Sequence, residues 1–259
     1  MTDQTMRAAG AQQFTIGNAI GTTMGVFGRH IVAFSLIPAV MFVPVFIIGV
    51  LIVFAFGLQA AFSGNPNDIH GGLFLAAFIF VMLYAAAMVV AMGALAYGTV
   101  QDLRHQYAGI GACLSRGFGS VIPLVLAAWG VSILAMLGTI LLVVPGIMIW
   151  TALAIVGPAI VAERLGAGAG MRRSRELTKG RRWSVFGAIF LTAICLNVVS
   201  YILTHVLGPM FGQIANGVLS IVVTVISMGF QGVLVAVIYF QLRIEKEGAS
   251  LDEIARVFD

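Results

Sequence analysis

The chain has 259 residues, of which 60% are hydrophobic and only 24 are Lys, Arg, Asp or Glu, too few to cover a soluble protein of this size with charge. The charges are also clustered, because residues 30–101, 117–162 and 183–242 together contain a single one, Asp68. A soluble globular fold is therefore excluded.

Each of these three blocks is long enough for two membrane crossings and a turn, since an apolar helix of about 20 residues spans a bilayer. We predict six spans, at residues 31–57, 73–100, 120–144, 147–162, 185–207 and 217–242. Gly, Pro and Asn residues at 63–67, 145–146 and 208–209 indicate turns between them. The predicted fold class is all-α, a polytopic membrane protein of six transmembrane helices that forms one membrane domain over residues 1–259.

The distribution of Lys and Arg predicts the orientation of the spans, because cytoplasmic loops are enriched in these residues. With the N-terminus in the cytoplasm, all 14 fall on the cytoplasmic side, whereas the opposite threading would export every one. The net charge of +4 then describes a surface that faces anionic lipid rather than a nucleic-acid groove. Residues 1–28 lack an apolar stretch followed by a cleavage site, so we expect no cleaved signal peptide.

Three short segments, each preceding an outward-going span, are similar to one another. They read FTIGNAI at 14–20, AGIGACL at 108–114 and AGAGMRR at 167–173, and their fourth residues are Gly17, Gly111 and Gly170. The first two have apolar residues at the spacing of an amphipathic helix. We predict three repeats, each an interfacial helix followed by a hairpin of two spans, with the first helix in the N-terminal segment 1–30. Because the match is short and rich in Gly and Ala, chance similarity is the alternative.

The basic loop, residues 163–184, is the most distinctive charged feature. Its first 20 residues contain seven cations and two acids, and Trp183 near its end is a residue that favours membrane interfaces. Such a segment on the inner leaflet attracts anionic headgroups, and the alternative is that it only anchors the topology. Glu163 is predicted to form an ion pair with an arginine of this loop, Arg173 or Arg175. The candidate headgroup contacts are Arg172, Arg173, Arg175, Lys179, Arg181, Arg182 and Trp183.

The C-terminal segment 243–259 is predicted to contain a short cytoplasmic helix. The sequence SLDE at 250–253 is a capping box, and the apolar residues that follow share one helix face. Three cations and five acids give the segment a net charge of −2, so we expect anionic lipid to repel it. Docking on the basic loop and binding of a protein partner through residues 250–258 are the two alternatives.

Two amides, Asn197 and Gln231, are the strongest polar candidates inside the spans. Each lies 11 or 12 residues from the cytoplasmic end of its predicted span, which at about 1.5 Å per residue places both near the midplane. We predict that they form an amide pair joining two helices, and a substrate site is the alternative. No charged residue is predicted at mid-depth, which argues against ion-coupled transport.

The sequence contains no arrangement typical of a catalytic or metal site. The four His residues lack the spacings of hydrolytic metal sites, and the spans have no carboxylate pair. His205 and Ser220 lie near the outer ends of spans five and six, but without the turn of a serine nucleophile we interpret them as interfacial polar side chains. The Gly-rich stretch 166–170 lacks the Lys of a phosphate loop and is interpreted as a flexible joint. We predict no enzymatic activity, no metal and no cofactor.

Several motifs resemble those of known membrane proteins. They are VPGIMIW at 144–150, GPAIVAE at 157–163, RSRELTKG at 173–180 and WSVFG at 183–187, together with FTIG at 14–17 and YFQLR at 239–243. In these motifs the chain resembles a bacterial family, the glycerophosphoryl diester phosphodiesterase membrane domain, and related families of uncharacterised membrane proteins. The resemblance implies six spans and, for most stand-alone members, no assigned activity. The catalytic barrel of such phosphodiesterases has about 250 residues, and no loop here is long enough to form it.

These observations favour a non-enzymatic protein of the bacterial inner membrane, with both termini in the cytoplasm, that binds or organises lipids, anionic lipid in particular, at the cytoplasmic leaflet. Two alternatives are a transporter or lipid translocator with a neutral intramembrane cavity, and an accessory subunit of a membrane complex. A partly polar cavity that reaches the midplane would favour the translocator, and a tightly packed bundle would favour the lipid-binding protein. No nucleic-acid partner is expected, and the sequence does not predict an oligomeric state.

Overall fold

The computed structural model describes residues 14–63, 68–103, 109–141 and 143–247, and these residues are almost entirely helical. A π-helical turn (Ile202–Leu207) and a 3-10 turn (Gly208–Phe211) connect the last two helices, and no strand occurs in the described ranges. In chain order the α-helices are α1 (Ile16–Arg29), α2 (Ile31–Ser63), α3 (Asp68–Leu103), α4 (Ile110–Gly119), α5 (Val121–Leu141), α6 (Val143–Ala152), α7 (Val156–Glu163), α8 (Ala167–Thr178), α9 (Arg182–Tyr201) and α10 (Gln213–Glu247).

Six of these helical segments are long and apolar enough to cross a membrane, which confirms the all-α, six-span fold class. They are α2, α3, α5, α6 with α7, α9 with its π-helical turn, and α10. Within its interior a helix satisfies its own backbone hydrogen bonds, as hydrocarbon requires. Several helices are longer than the predicted spans, since α2 continues to Ser63 and α10 runs from Gln213 to Glu247. The predictions followed only the apolar stretch, whereas helical hydrogen bonding continues into the polar residues beside it.

The order of the elements repeats three times, because a short helix precedes each pair of spans. These pairs are α2 with α3 after α1, α5 with the α6–α7 span after α4, and α9 with α10 after α8. Every short helix buries a small residue at its fourth and eighth positions, a spacing that allows close approach to a neighbouring helix. The residues are Ala19 and Thr23 in α1, Cys113 and Gly117 in α4, and Gly170 and Ser174 in α8.

The register of the third repeat differs from the predicted one. Gly17 and Gly111 are the second residues of their helices and have open space around them, whereas Gly170 is the fourth residue of α8. A Cβ atom at Gly170 would collide with the side chain of Ile160, so this glycine is needed for close packing. The stretch 166–170 is therefore not a flexible joint but the N-cap and first turn of a packed helix.

The fourth span, predicted as one helix over 147–162, is broken between Ala152 and Val156. Pro158 explains the break, because proline has no N–H and is tolerated in the first turn of α7 but not in a helix interior. The carbonyl oxygen of Ala152 accepts hydrogen bonds from Ser174 Oγ at 2.8 Å and from Thr178 Oγ1 at 3.3 Å. The α8 helix thus satisfies a backbone group at the break, which hydrocarbon could not do.

The core of the bundle surrounds α7 and one end of α10. Six of the eight residues of α7 are buried, and Tyr239 in α10 is completely enclosed. Large apolar side chains on the outer faces of α2, α5 and α9 are instead exposed, among them Ile122 at 75%. An outer surface of this kind is suited to hydrocarbon, since soluble proteins rarely expose continuous apolar patches.

Candidate functional site

Apart from Asp68, the first residue of α3, the charged residues that the structure describes all lie at one end of the bundle, which we call the charged end. They precede α2, α5 and α9 or follow α3, α7 and α10, or belong to the ends of these helices. Because consecutive spans run in opposite directions, these positions come together on the same side. The short helices α1, α4 and α8 pack there against the spans.

Glu163, the last residue of α7, is the centre of an ion-pair network at the charged end. Its Oε1 accepts a hydrogen bond from Arg173 Nε of α8 at 2.8 Å and one from the Tyr239 hydroxyl of α10 at 2.7 Å. Arg243 Nη1 lies 3.8 Å from the same oxygen, and Glu247 pairs with both Arg173 and Arg243. The network therefore joins α7, α8 and α10. Of the two predicted partners of Glu163, the structure places Arg173 against it.

The charge of Arg173 is stabilised by this network. Burial acts to lower the pKa of its guanidinium, but hydrogen bonds and Coulombic attraction to Glu163 and Glu247 outweigh burial and raise the pKa above its ordinary value. Arg173 and Glu163 are each less than a quarter exposed. Removing one partner of such a pair leaves the other charge poorly solvated, so we expect the loss of either side chain to destabilise the fold.

A second set of contacts joins the basic loop to the end of α10. Arg181 donates to Glu245 Oε1 from both Nε, at 2.9 Å, and Nη2, at 2.5 Å, and Glu245 Oε2 accepts the backbone N–H of Phe14. Lys246 donates to the carbonyl oxygens of Glu176 and Lys179. The end of α10 thus docks on the basic loop through Glu245 and Lys246, although the predicted helix at 250–258 lies outside the described residues.

A third contact fixes the junction of α1 and α2. Arg29 Nη2 lies 2.5 Å from Asp102 Oδ2, and His30 Nε2 lies 3.2 Å from Asp102 Oδ1. Asp102 is in the last turn of α3 and is almost completely buried. This contact holds the first short helix against the second span.

The cations of the basic loop divide into a structural group and an exposed group. Arg173 and Arg181 form the contacts described above, while Arg182 is partly buried. The buried face of α8 contains Gly170, Ser174, Leu177 and Thr178. The opposite face exposes Arg172 and Arg175, three residues apart on one side of the helix, and Lys179, the C-cap residue directly after the helix, is exposed beside them.

This exposed face of α8, with Arg172, Arg175 and Lys179, is the basic face. Its described acidic neighbour is Glu176, 4.0 Å from Arg172, and both of these side chains are more than half exposed. An exposed pair at that distance is weak, so most of the positive charge is not neutralised. Trp183, at 63% exposure, is the second residue of the adjacent span, α9. A cationic helix face beside an exposed interfacial Trp is suited to contact lipid headgroups.

The two amides predicted to pair with each other do not do so. Asn197 Nδ2 donates to the carbonyl oxygen of Ala193, one turn back in α9, at 2.8 Å. Asn197 and Gln231 instead line a common groove of about 350 Å³ between α9, α10 and α3. The prediction of interhelical pairing was wrong because the Asn side chain reaches its own backbone and leaves the groove between the helices open.

Three hydroxyl side chains that the sequence analysis missed also line this groove. We call it the polar groove, lined by Asn197, Ser200, Thr224, Ser227 and Gln231 with Met88, Met92, Leu196 and Met228. Its polar residues follow one face of each helix, at spacings of three in α9 and of three and four in α10. This periodicity is visible in the sequence, so these hydroxyl residues could have been predicted to lie with the two amides on polar helix faces.

A larger cavity of about 530 Å³ adjoins the polar groove. The two share Met88, Met92 and Gln231 in their linings. The larger cavity is mainly apolar and reaches Trp150, Leu153 and Pro158 beside the break in the fourth span. The irregular backbone at the break therefore lies against a cavity within the protein, where membrane proteins tolerate it.

The remaining candidates for chemistry have structural partners. His205 Nδ1 lies 2.8 Å from Thr204 Oγ1, and the Ser220 hydroxyl donates to the carbonyl oxygen of Asn216. Among the described residues, no three His, Cys, Asp or Glu side chains are grouped to hold a metal ion. Comparisons with protein-family models, curated proteins and solved structures each found no match to this chain. The resemblance in the sequence motifs therefore stays a prediction.

Proposed function

We propose that this integral membrane protein is non-enzymatic and binds anionic lipid headgroups at the cytoplasmic leaflet of a bacterial inner membrane. In this proposal the charged end is cytoplasmic, as the positions of Lys and Arg predict. The protein belongs with the six-span bacterial families that its motifs resemble.

The observation that carries the proposal is the separation of the basic face from the structural cations. Arg173 and Arg181 are held by acids of α7 and α10, so they contribute little to an external ligand. Arg172, Arg175 and Lys179 point away from the buried side of α8 and keep their charge available. Each cation near an anionic membrane surface contributes about 1 kcal/mol of attraction, so three together distinguish anionic from zwitterionic lipid.

Native mass spectrometry of the full chain, ejected directly from membrane vesicles, tests this proposal. We expect adducts of anionic phospholipids in excess of their share of the bulk membrane, and fewer adducts at high salt because exposed charges are screened. Adducts that merely reflect the bulk lipid composition would contradict headgroup binding. The same spectra would reveal a protein partner, as expected for an accessory subunit.

The polar groove supports a second candidate, a translocator of neutral molecules or lipids. Gln231 lies at the middle of the 35-residue α10, and the adjoining cavity extends toward the broken fourth span. Discontinuous helices beside a cavity near the middle of the membrane are typical of transporter binding sites. Flux of a fluorescent neutral lipid across proteoliposomes, compared with empty liposomes, tests this candidate, and equal rates would count against it.

A further inference from the structure

The polar groove is able to form hydrogen bonds but contains no charge. Its polar lining consists of two amides and three hydroxyls, and among the residues that the structure describes no Asp, Glu, Lys or Arg lines either the groove or the adjoining cavity. Thr224 donates its hydroxyl hydrogen to the carbonyl oxygen of Ser220, and Asn197 donates one amide hydrogen to Ala193. Both side chains therefore keep an oxygen that can accept a hydrogen bond.

This lining selects for an uncharged occupant with a hydrogen-bond donor. An ionised group at this depth would lack a counter-charge, and burying an unpaired charge is strongly unfavourable. The oxygens of Thr224 and Asn197 can accept a hydrogen bond from a donor, whereas the amide N–H groups of Gln231 can donate to an acceptor. A hydroxyl group supplies both functions from one atom.

The adjoining cavity can hold the apolar part of such a ligand. Its lining is mainly apolar, and it meets the groove at Met88, Met92 and Gln231. Methionine side chains adapt to irregular apolar shapes, so this junction is suited to a hydrocarbon chain. The volumes, about 350 and 530 Å³, are each within the range of small-molecule sites.

We propose that the groove and the cavity form one binding site for a neutral lipid with a free hydroxyl group. The hydroxyl lies between Asn197, Thr224 and Gln231, and the hydrocarbon chain occupies the apolar cavity. The site is separate from the basic face in place and in chemistry. This binding-site proposal gives the ligand class that the translocator candidate would carry. If the lipid binds but is not moved across the membrane, the binding site is supported and the translocator candidate is contradicted.

A matched pair of ligands tests the donor requirement. The full chain is placed in phosphatidylcholine nanodiscs doped with 1-hexadecanol or with hexadecyl methyl ether, and bound ligand is measured by native mass spectrometry. The two probes have the same hydrocarbon chain, but only the alcohol has an O–H donor. We expect the alcohol to bind about tenfold more tightly than the ether, because the ether has no O–H to donate to the oxygens of Asn197 and Thr224.

Variants of the groove test the position of the hydroxyl. The double variant Asn197→Leu, Gln231→Leu is expected to lose about tenfold in alcohol affinity while ether binding stays the same. If that variant does not fold, Thr224→Val removes a single acceptor and should lower alcohol binding about threefold. Ser115→Ala is the matched control, because Ser115 is an exposed hydroxyl that donates to its own helix outside the groove.

Three results would overturn the proposal. The first is equal binding of alcohol and ether by the wild-type chain, and the second is unchanged alcohol binding in folded groove variants. The third is efficient cross-linking of Asn197→Cys chains to one another in vesicles, in a Cys113→Ser, Cys195→Ser background. That result would make the groove an interface between two copies of the chain.

Discussion

The charged end and the polar groove use polar side chains in opposite ways. At the charged end, Glu163 and Arg173 bond across helices, and the ion pairs join α7, α8 and α10. In the groove, Asn197 and Thr224 bond to carbonyl oxygens of their own helices. The difference indicates that charge at the membrane boundary holds the helices together, whereas neutral polar groups at mid-depth remain available to a ligand.

Glu163→Gln is expected to have the largest effect on stability. The amide keeps the shape of the carboxylate but removes the negative charge facing Arg173 and Arg243, so two partly buried cations lose a counter-charge. We expect a loss of about 2–4 kcal/mol, or a fall in Tm of about 5–10 °C in detergent. Glu176→Gln is the matched control, since Glu176 is 59% exposed and forms only a 4.0 Å pair. Equal Tm values for the two variants would contradict the claim that the ion pairs of Glu163 hold the helices together.

Ser174→Ala is expected to have an intermediate effect. It removes the hydroxyl that donates to the Ala152 carbonyl at the break in the fourth span and leaves only the longer contact from Thr178. A loss of about 1–2 kcal/mol should follow, measured by thermal unfolding in detergent. Ser115→Ala, at an exposed hydroxyl, should be neutral. A neutral Ser174→Ala would mean that the break does not depend on α8.

Asn197→Leu is expected to change stability by less than about 0.5 kcal/mol. An interhelical amide pair in a membrane contributes about 0.6–2 kcal/mol, but the Asn197 amide bonds only within α9. Thermal unfolding of this variant beside Glu163→Gln measures the contrast between the two regions directly. A Tm loss as large as that of Glu163→Gln would show that the groove, too, holds helices together.

Much of this architecture could be predicted from the sequence because hydrophobicity and charge are local properties. The three blocks with almost no charge predict the six spans. The position of Glu163 at the end of the fourth span predicts that it pairs with an arginine of the basic loop. The break before Pro158 was missed, because only the tertiary position of Ser174 shows that the Ala152 carbonyl has an alternative donor.

The candidate sites were predicted less completely for a related reason. The sequence identifies the cations of the basic loop but not their partners, so Arg173 and Arg181 were grouped with the exposed Arg172, Arg175 and Lys179. Packing separates them, because only the structure brings Glu245 and Glu247 of α10 onto the loop. The hydroxyls of the groove have a helical periodicity in the sequence, but the periodicity alone does not show which neighbouring helices the polar face meets.

Lipid selectivity of the basic face tests the central claim most directly. The full chain and the triple variant Arg172→Gln, Arg175→Gln, Lys179→Gln are placed in nanodiscs of phosphatidylglycerol and phosphatidylcholine, and bound lipids are counted by native mass spectrometry. We expect unchanged Tm values, because these side chains are exposed, and an enrichment of phosphatidylglycerol by the wild type that falls on the order of tenfold or more in the variant. Equal phosphatidylglycerol enrichment by the two proteins would contradict the assignment of headgroup binding to this face.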